Sequence, residues 1–421
     1  MSRAVIYPAR LAGTRPAPPS KSAAHRALIC AALASGESRV APLAGSADMA
    51  ATIGVLHAIG AQISLTKNGG AKVSGGRWNT EKMLLLDCLE SGSTLRFLLP
   101  VACALGLTAT VAGRGRLPER PLGALAEQMK AHGVSFSSGK MPFIVRGQLT
   151  PGRYELPGDV SSQFVTGLLF ALPLLGGDSE IVLTSPLQSA GYVEMTLRAL
   201  AQSGIVVEAA ASGWRVPGGQ RYQPGDRDVE GDWSNAAFWL CAAAIGGAVR
   251  VTGLTNASAQ GDRAVCGILE RFGAEISQDA HAVCCKAAPL RGCKIDAGPI
   301  PDLVPVLAVT AAFAEGETEI FNAARLRIKE SDRLATTAAL VRSLGGRADE
   351  YPDRLVVYGG GLRGGTAQGA NDHRIVMAAA VAAQACAKEV CVTDAHAVKK
   401  SYPDFFDDLI KLGGRCDVDM G

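Results

Sequence analysis

The chain has 421 residues, 48% of them hydrophobic and 19% charged, with a formal net charge of +3. This composition excludes a disordered chain, which lacks the apolar surface to pay for its own ordering, and a charge so close to neutral is a poor footprint for wrapping a nucleic-acid backbone. At roughly 150 residues per domain, the length predicts two or three domains with large cores.

In chain order, the first segment, Met1-Ser2-Arg3-Ala4-Val5, lacks the unbroken apolar core of a secretory leader. Ser20-Lys21-Ser22 then opens a nearly all-apolar helix, and Gly60 closes a second, amphipathic one, followed by the alternation Ala61-Gln62-Ile63. This pair of signals recurs five times. The openings are Ser91-Gly92-Ser93-Thr94, Ser161-Ser162-Gln163, Asp232-Trp233-Ser234-Asn235, Ile300-Pro301-Asp302 and Asn371-Asp372-His373-Arg374; the closing glycines are Gly133, Gly204, Gly273, Gly345 and Gly413. Successive glycines are 73, 71, 69, 72 and 68 residues apart. A glycine suits the left-handed turn that ends a helix, and alternation suits a half-buried strand. Helices apolar all round belong inside a domain, and amphipathic ones outside. The prediction is an α/β protein of six units, each with one buried helix, one surface helix and several strands.

Six units divide three and three. The candidate joints are Ala17-Pro18-Pro19 and Val229-Glu230-Gly231-Asp232. They predict a discontinuous domain of residues 1–18 plus 232–421 and an inserted domain of residues 19–231. Eleven cysteines with no C-x-x-C pair read as buried thiols of a reducing compartment. The longest apolar stretches, Phe97 to Ala112 and Ala236 to Ile245, are broken or short beside the ~20 residues a bilayer requires. The expected location is the cytoplasm, with no membrane partner.

Helix N-termini favour anions, and the cations near them ask for a counter-charge. Arg3, Arg10, Arg15, Lys21 and Arg26 precede the first acidic residue, Glu37. Arg26 falls among apolar neighbours on the first buried helix, so its counter-charge must come from elsewhere in the fold or from a ligand. Arg96 and Arg374 follow polar helix openings in the same way. Arg114, Arg116 and Arg120 share an irregular Gly- and Pro-bearing loop that also reads as a solvated turn. Lys329 and Arg333 stand at helical i, i+4 spacing around Glu330, which alone would be an ordinary surface ion-pair run. Lys399-Lys400-Ser401-Tyr402-Pro403-Asp404 reads equally well as an exposed turn, and His373 as a helix cap. No P-loop, zinc-protease, nucleophile-elbow or dinucleotide motif is present; Gly133 to Lys140 has the wrong spacing and ends in Met141. The chemistry is expected to need no cofactor and no metal, and to act on small polyanions with Asp302 and Glu330 placed for proton transfer.

In combination these motifs resemble the 5-enolpyruvylshikimate-3-phosphate synthase family, the enolpyruvyl transferases of aromatic amino-acid biosynthesis. The motifs run in order: Pro19-Ser20-Lys21-Ser22 with His25-Arg26, Ser91 to Arg96, Arg116 to Pro121, Ser161-Ser162-Gln163, Glu230-Gly231-Asp232, Ile300-Pro301-Asp302, Lys329 to Arg333, Asn371 to Arg374 and Lys400 to Asp404. The resemblance implies two domains of three βαβαββ-type units, an inside-out α/β barrel arrangement, closing over a cleft. It also implies transfer of the enolpyruvyl group of phosphoenolpyruvate to the 5-hydroxyl of shikimate 3-phosphate. Shikimate 3-phosphate would meet Ser22, Arg26, Ser161, Ser162, Gln163, Ser189, Tyr192, Asp302 and Lys329. Phosphoenolpyruvate would meet Lys21, Gly92, Arg120, Gln163, Arg333, His373, Arg374 and Lys400. Glu330 would act as general acid and Asp302 as the base for the attacking hydroxyl, with Lys21 stabilising developing charge. A monomer is expected. By that resemblance Pro19 replaces the usual Gly, His25 stands where Asn is frequent, Arg325 where an Asn often contacts shikimate phosphate, and Ala190-Gly191 replace a Lys-Pro, which bears on secondary contacts to shikimate 3-phosphate.

Three other readings compete. The sister transferase acting on UDP-N-acetylglucosamine has Lys-Asn in place of Lys21-Ser22 and a reactive Cys in the loop occupied here by Arg114 to Arg120. The others are a nucleic-acid-binding module using that loop, and a catalytically silent binder of phosphorylated metabolites.

Overall fold

Helices in this chain come in pairs, one apolar throughout and one closed by glycine. The computed structural model describes residues 2–80 and 82–421. In chain order the pairs are α1 (Lys21–Leu33) with α2 (Ala47–Ile59), α3 (Gly92–Ala104) with α4 (Gly123–Ala131), and α5 (Ser162–Ala171) with α6 (Ala190–Ala201). Then come α7 (Trp233–Gly246) with α8 (Val265–Phe272), α9 (Val304–Ala312) with α10 (Arg333–Ser343), and α11 (His373–Ala383) with α12 (Phe405–Lys411). The first of each pair is buried nearly end to end. Ser20, Ser91, Ser161, Asp232 and Asp372 cap five of these six by accepting a backbone N–H from the first turn. The second of each pair is followed by Gly60, Gly133, Gly204, Gly273, Gly345 or Gly413, at φ of 124°, 93°, 73°, 106°, 86° and 93°. A side chain resists that backbone conformation, so glycine sets where each surface helix stops.

Each helix pair is served by a four-stranded sheet. In the second repeat Leu84–Asp87 and Ala109–Ala112 run parallel on either side of α3 in sequence, and Phe143–Arg146 and Ser135–Phe136 add on antiparallel. The same order recurs with Arg153–Leu156 and Ser179–Leu183, with Lys294–Asp296 and Glu317–Phe321, and with Gly365–Ala367 and Val390–Thr393 as the parallel pairs. The unit is therefore β-α-β-α-β-β. Two edge strands are exchanged. Ala12–Pro16, just before α1, pairs in parallel with Ala248–Thr252, while Arg227–Asp228, just before α7, pairs with Gly36–Ala41. Arg3–Tyr7 lies between Val390–Thr393 and Arg415–Asp419 and completes the sixth sheet.

That exchange explains why residues up to Pro18 form one unit with Glu230–Gly421, leaving Pro19–Val229 as the other. The second crossing falls at Val229/Glu230 rather than at Gly231/Asp232. Each unit has its own core. One gathers α7, α9 and α11 with Trp239 stacked on Phe405, ring centroids 4.9 Å apart. The other gathers α1, α3 and α5, where a Cβ on Gly167 would lie 2.1 Å from the Arg96 carbonyl, so only glycine lets α3 and α5 pack this closely. All eleven cysteines are free thiols. Among the described residues no helix is long and apolar enough to cross a membrane.

Candidate active site

In the unit Pro19–Val229, the starts of the buried helices carry the polar groups. Lys21 begins α1 and pairs with Asp48 of α2 at 2.7 Å. Gly92 begins α3, and a Cβ there would lie 2.6 Å from Nη1 of both Arg96 and Arg120. Two guanidinium groups thus converge on a bare α-carbon at a helix N-terminus, a combination suited to a carboxylate or phosphate. Gln163 ties the neighbouring helix start to this one: its Oε1 accepts from Arg96 Nη1 at 3.1 Å and its Nε2 donates to Ser93 Oγ at 3.0 Å. Ser161 caps α5 by accepting the Gln163 N–H at 3.3 Å, and Ser162 follows it, buried.

Arg26 is buried one turn into α1. Its Nη1 donates to the Ser22 carbonyl at 2.7 Å, its Nη2 to the Tyr192 carbonyl at 2.8 Å and its Nε to Thr196 Oγ1 at 2.9 Å. Every one of these acceptors is neutral, and burial lowers the Arg26 guanidinium to about 10. Ser189 precedes α6 in a left-handed conformation, φ 56°, and its carbonyl accepts the Tyr192 N–H at 3.1 Å. Arg26 thus binds α1 to the first turn of α6, which carries Tyr192.

The other unit holds a denser cluster around Arg333, whose side chain is 1% exposed. Its Nη1 donates to Asp302 at 2.7 Å, its Nε to Asp372 at 3.0 Å and its Nη2 to Glu330. Burial works to lower this guanidinium, but the charges of Asp372, Glu330 and Asp302 outweigh it and hold it raised. Asp302 also lies 3.5 Å from Lys329 Nζ and 3.3 Å from Arg374 Nη2. Burial lowers the Lys329 ammonium; Asp302 pulls it back up, and Arg333 and Arg325 push it further down. His373, the first residue of α11, is buried with Nδ1 4.0 Å from Asp372. Lys400 ends a 3₁₀ turn and donates from Nζ to the Asn371 carbonyl at 2.6 Å. Behind Asp302 lies Asp262, buried and pushed up to about 6 by desolvation and then by the Asp302 charge, against Arg374 and a hydrogen bond from Ser234.

The structure brings Lys21, Ser22, Arg26, Gly92, Arg120, Ser161, Ser162, Gln163, Ser189 and Tyr192 into one unit. Asp302, Lys329, Glu330, Arg333, His373, Arg374 and Lys400 fall in the other. Lys329 to Arg333 is not helical: a 3₁₀ turn, Ala324–Ile328, ends before Lys329 and α10 begins at Arg333. Glu330 therefore sits on a turn that folds its carboxylate back onto the Arg333 guanidinium. Part of the expected vacancy in counter-charge is filled internally: Arg15 by Asp408 at 2.7 Å, Lys21 by Asp48, and Arg333 by three carboxylates. Of the arginine-bearing loop, Arg114 and Arg116 are exposed and paired with Asp87 and Glu119, and Arg120 reaches the cradle at Gly92. Asp48, Asp262 and Asp372 take part without having been singled out. Only Asp372 carried a local signal, its place in Asn371-Asp372-His373-Arg374.

A repeated α/β scaffold with a paired-guanidinium cradle in one unit and a carboxylate–cation cluster in the other defines a class of protein equipped for small anionic metabolites. Residues 5–409 match the family described as EPSP synthase (3-phosphoshikimate 1-carboxyvinyltransferase), and the chain belongs to that family. It is 42% identical over 416 residues to the 3-phosphoshikimate 1-carboxyvinyltransferase of Clostridium kluyveri, covering 98% of this chain and 97% of that one. It is 40% identical to the enzyme of the same name from Clostridioides difficile, covering 98% of each. Its fold matches the EPSP synthase of Acinetobacter baumannii with a TM-score of 0.83 at 24% identity, over 100% of both chains. It also matches the enolpyruvyl transferase NikO of Streptomyces tendae, with a TM-score of 0.80 at 20% identity, over 99% of this chain and 98% of that one.

Proposed function

We propose that the chain transfers the enolpyruvyl group of phosphoenolpyruvate to the 5-hydroxyl of shikimate 3-phosphate by addition and elimination. Glu330 delivers a proton to the methylene carbon while the 5-hydroxyl attacks the adjacent carbon, its proton passing to Asp302. Loss of phosphate and of one methyl proton from the tetrahedral adduct then regenerates the double bond in 5-enolpyruvylshikimate 3-phosphate. The observation that carries this reading is that one buried guanidinium, Arg333, holds both Glu330 and Asp302, so that two carboxyl groups are fixed side by side among cations; Arg333 alone favours the ionised form of Glu330, and the negative charge of the bound substrates is what lets it take up the proton it delivers.

The anionic substrates divide over the two sets of residues. Lys21, Gly92, Arg120, Gln163, Arg333, His373, Arg374 and Lys400 serve phosphoenolpyruvate, and the convergence of Arg96 and Arg120 on Gly92 supports that role. Ser22, Arg26, Ser161, Ser162, Gln163, Ser189, Tyr192, Asp302 and Lys329 serve shikimate 3-phosphate. Lys21 also stabilises charge that develops in the transition state. The enzyme acts as a cytoplasmic monomer without cofactor, metal, nucleic-acid or membrane partner. Phosphate release from phosphoenolpyruvate with no added metal tests the reading: shikimate 3-phosphate should support it and UDP-N-acetylglucosamine should not. Release with the second acceptor alone would overturn it.

A further inference from the structure

A buried polar chain leads from His25 to the start of α3 and has no part in the chemistry above. His25 lies one turn beyond Lys21 on α1, and Thr52 one turn beyond Asp48 on α2. The two helices therefore meet in two rungs, Lys21 to Asp48 at 2.7 Å and His25 Nδ1 to Thr52 Oγ1 at 2.7 Å. Thr52 Oγ1 continues to Thr94 Oγ1 at 2.7 Å, and Thr94 Oγ1 donates to Ser91 Oγ at 2.8 Å. Ser91 Oγ also accepts the Thr94 N–H as the cap of α3, immediately before Gly92. His25, Thr52, Thr94 and Ser91 are all 0–1% exposed.

The protons in this chain have one consistent order. Thr94 spends its hydroxyl proton on Ser91, so the proton between the two threonines must be that of Thr52. Thr52 then has none for the imidazole, and His25 must donate from Nδ1. Among the described residues its Nε2 is buried with no hydrogen-bond partner, which agrees with a bare lone pair there and the proton on Nδ1.

We propose that His25 is a positioning residue: a neutral imidazole protonated at Nδ1, it orients the Thr52 and Thr94 hydroxyls and thereby holds the start of α3 so that Lys21 and the Gly92 cradle keep a fixed separation. The proposal rests on the reading of that cradle as the seat of phosphoenolpyruvate. An asparagine at position 25 could present an N–H to Thr52 in the same way, which makes it the conservative test of this role. Burial, and then the charges of Lys21 and Arg26, hold the imidazole well below its ordinary pKa, so the donor stays neutral through physiological pH.

The experiment combines nitrogen NMR with ligand binding on the full-length protein. With ¹⁵N-histidine labelling, the resonances absent from His25→Asn identify this ring. They are expected to show a protonated Nδ1 and an unprotonated Nε2, unchanged between pH 6 and 8. Phosphoenolpyruvate affinity, measured with shikimate 3-phosphate withheld so that nothing turns over, should fall about tenfold in His25→Leu and in Thr52→Val, and His25→Asn should keep it within about threefold of the parent. Thr52→Val breaks the chain without touching α1, so a folding defect peculiar to position 25 would not imitate the result. A proton on Nε2, a ring that titrates in that range, or parental affinity in Thr52→Val would overturn the proposal. A parent protein that holds phosphoenolpyruvate but releases no phosphate would count against the reaction, and the NMR and binding readouts would still decide the role of His25.

Discussion

A methyl group at Gly92 should separate stability from binding. The nearest atoms to a Cβ at this position are Nη1 of Arg120 and of Arg96, both at 2.6 Å, and Cζ of Arg120 at 2.9 Å. All belong to the far ends of flexible side chains, so Gly92→Ala moves guanidinium groups and leaves the backbone in place. Each would withdraw by roughly 1 Å to reach ordinary contact, enough to break a charge-assisted hydrogen bond worth ~1.5–3 kcal/mol. Phosphoenolpyruvate KM should therefore rise about ten- to a hundredfold. Alanine in place of glycine gains roughly 0.5–1 kcal/mol in mid-helix and less at Gly92, the first residue of α3, so the thermal midpoint should hold or rise slightly. Steady-state kinetics with phosphoenolpyruvate varied at saturating shikimate 3-phosphate, beside a thermal melt of the same preparation, reads both quantities. An unchanged KM would show that the two arginines do not converge on the ligand. A midpoint lowered by several degrees would mean that the methyl group meets something less yielding than side-chain ends.

Glu330→Gln should lower kcat by about 10²–10⁴-fold, the usual worth of a general acid, with phosphoenolpyruvate KM changed little; parental turnover would remove Glu330 from the proton transfer. Arg333→Gln leaves Asp302, Glu330 and Asp372 facing one another without their shared cation, and urea unfolding should show a loss of ~3–5 kcal/mol; stability equal to the parent would mean that the three carboxylates relax at no cost. For Asp262, a pKa of about 6 against its ordinary 3.8 means that the native state keeps a proton which the unfolded chain has already released between those two values. Stability therefore falls as pH rises through that window, by on the order of 3 kcal/mol, and the cost is complete above it. Asp262→Asn should be more stable than the parent at pH 8 and lose that advantage by pH 4; a difference independent of pH would show that the carboxyl is ionised throughout. His25 has the opposite slope: its depressed pKa costs stability as pH falls below 6.5, so His25→Asn should flatten the acid limb of a stability–pH curve.

What was legible in the sequence was local. A capping serine meets an N–H two or three residues away and a closing glycine acts at its own φ, so the six helix pairs could be placed from spacing alone. The exchanged edge strands could not, because Ala12–Pro16 and Arg227–Asp228 carry no strand signature of their own and nothing that names a partner more than 180 residues distant. Only Pro18 and Gly231 hinted that the chain crosses there. Lys329 to Arg333 shows a local signal outweighed by another. Lys329, Glu330 and Arg333 read together as a helical ion-pair run, but Asp332 accepts the Ala335 N–H at 3.1 Å and caps α10 at that point, which leaves Glu330 outside it.

Charge compensation was the least legible property, because it is settled by tertiary neighbours. Arg15, Lys21, Arg26 and Arg333 look alike as cations near helix starts. The fold pairs Arg15 with Asp408, 393 residues away, pairs Lys21 with Asp48, surrounds Arg333 with three carboxylates, and bonds Arg26 to two carbonyls and a hydroxyl. These environments imply different roles. An arginine held by three carboxylates is fixed and can fix an acid and a base in turn, as Arg333 does for Glu330 and Asp302. An arginine bonded to carbonyls and a hydroxyl, as Arg26 is, has its charge available to an anion, whereas Arg333 divides its charge between three carboxylates and the phosphoenolpyruvate it would serve. Binding of shikimate 3-phosphate should therefore depend more steeply on Arg26 than on Arg333, whose removal should be felt first in stability and in kcat.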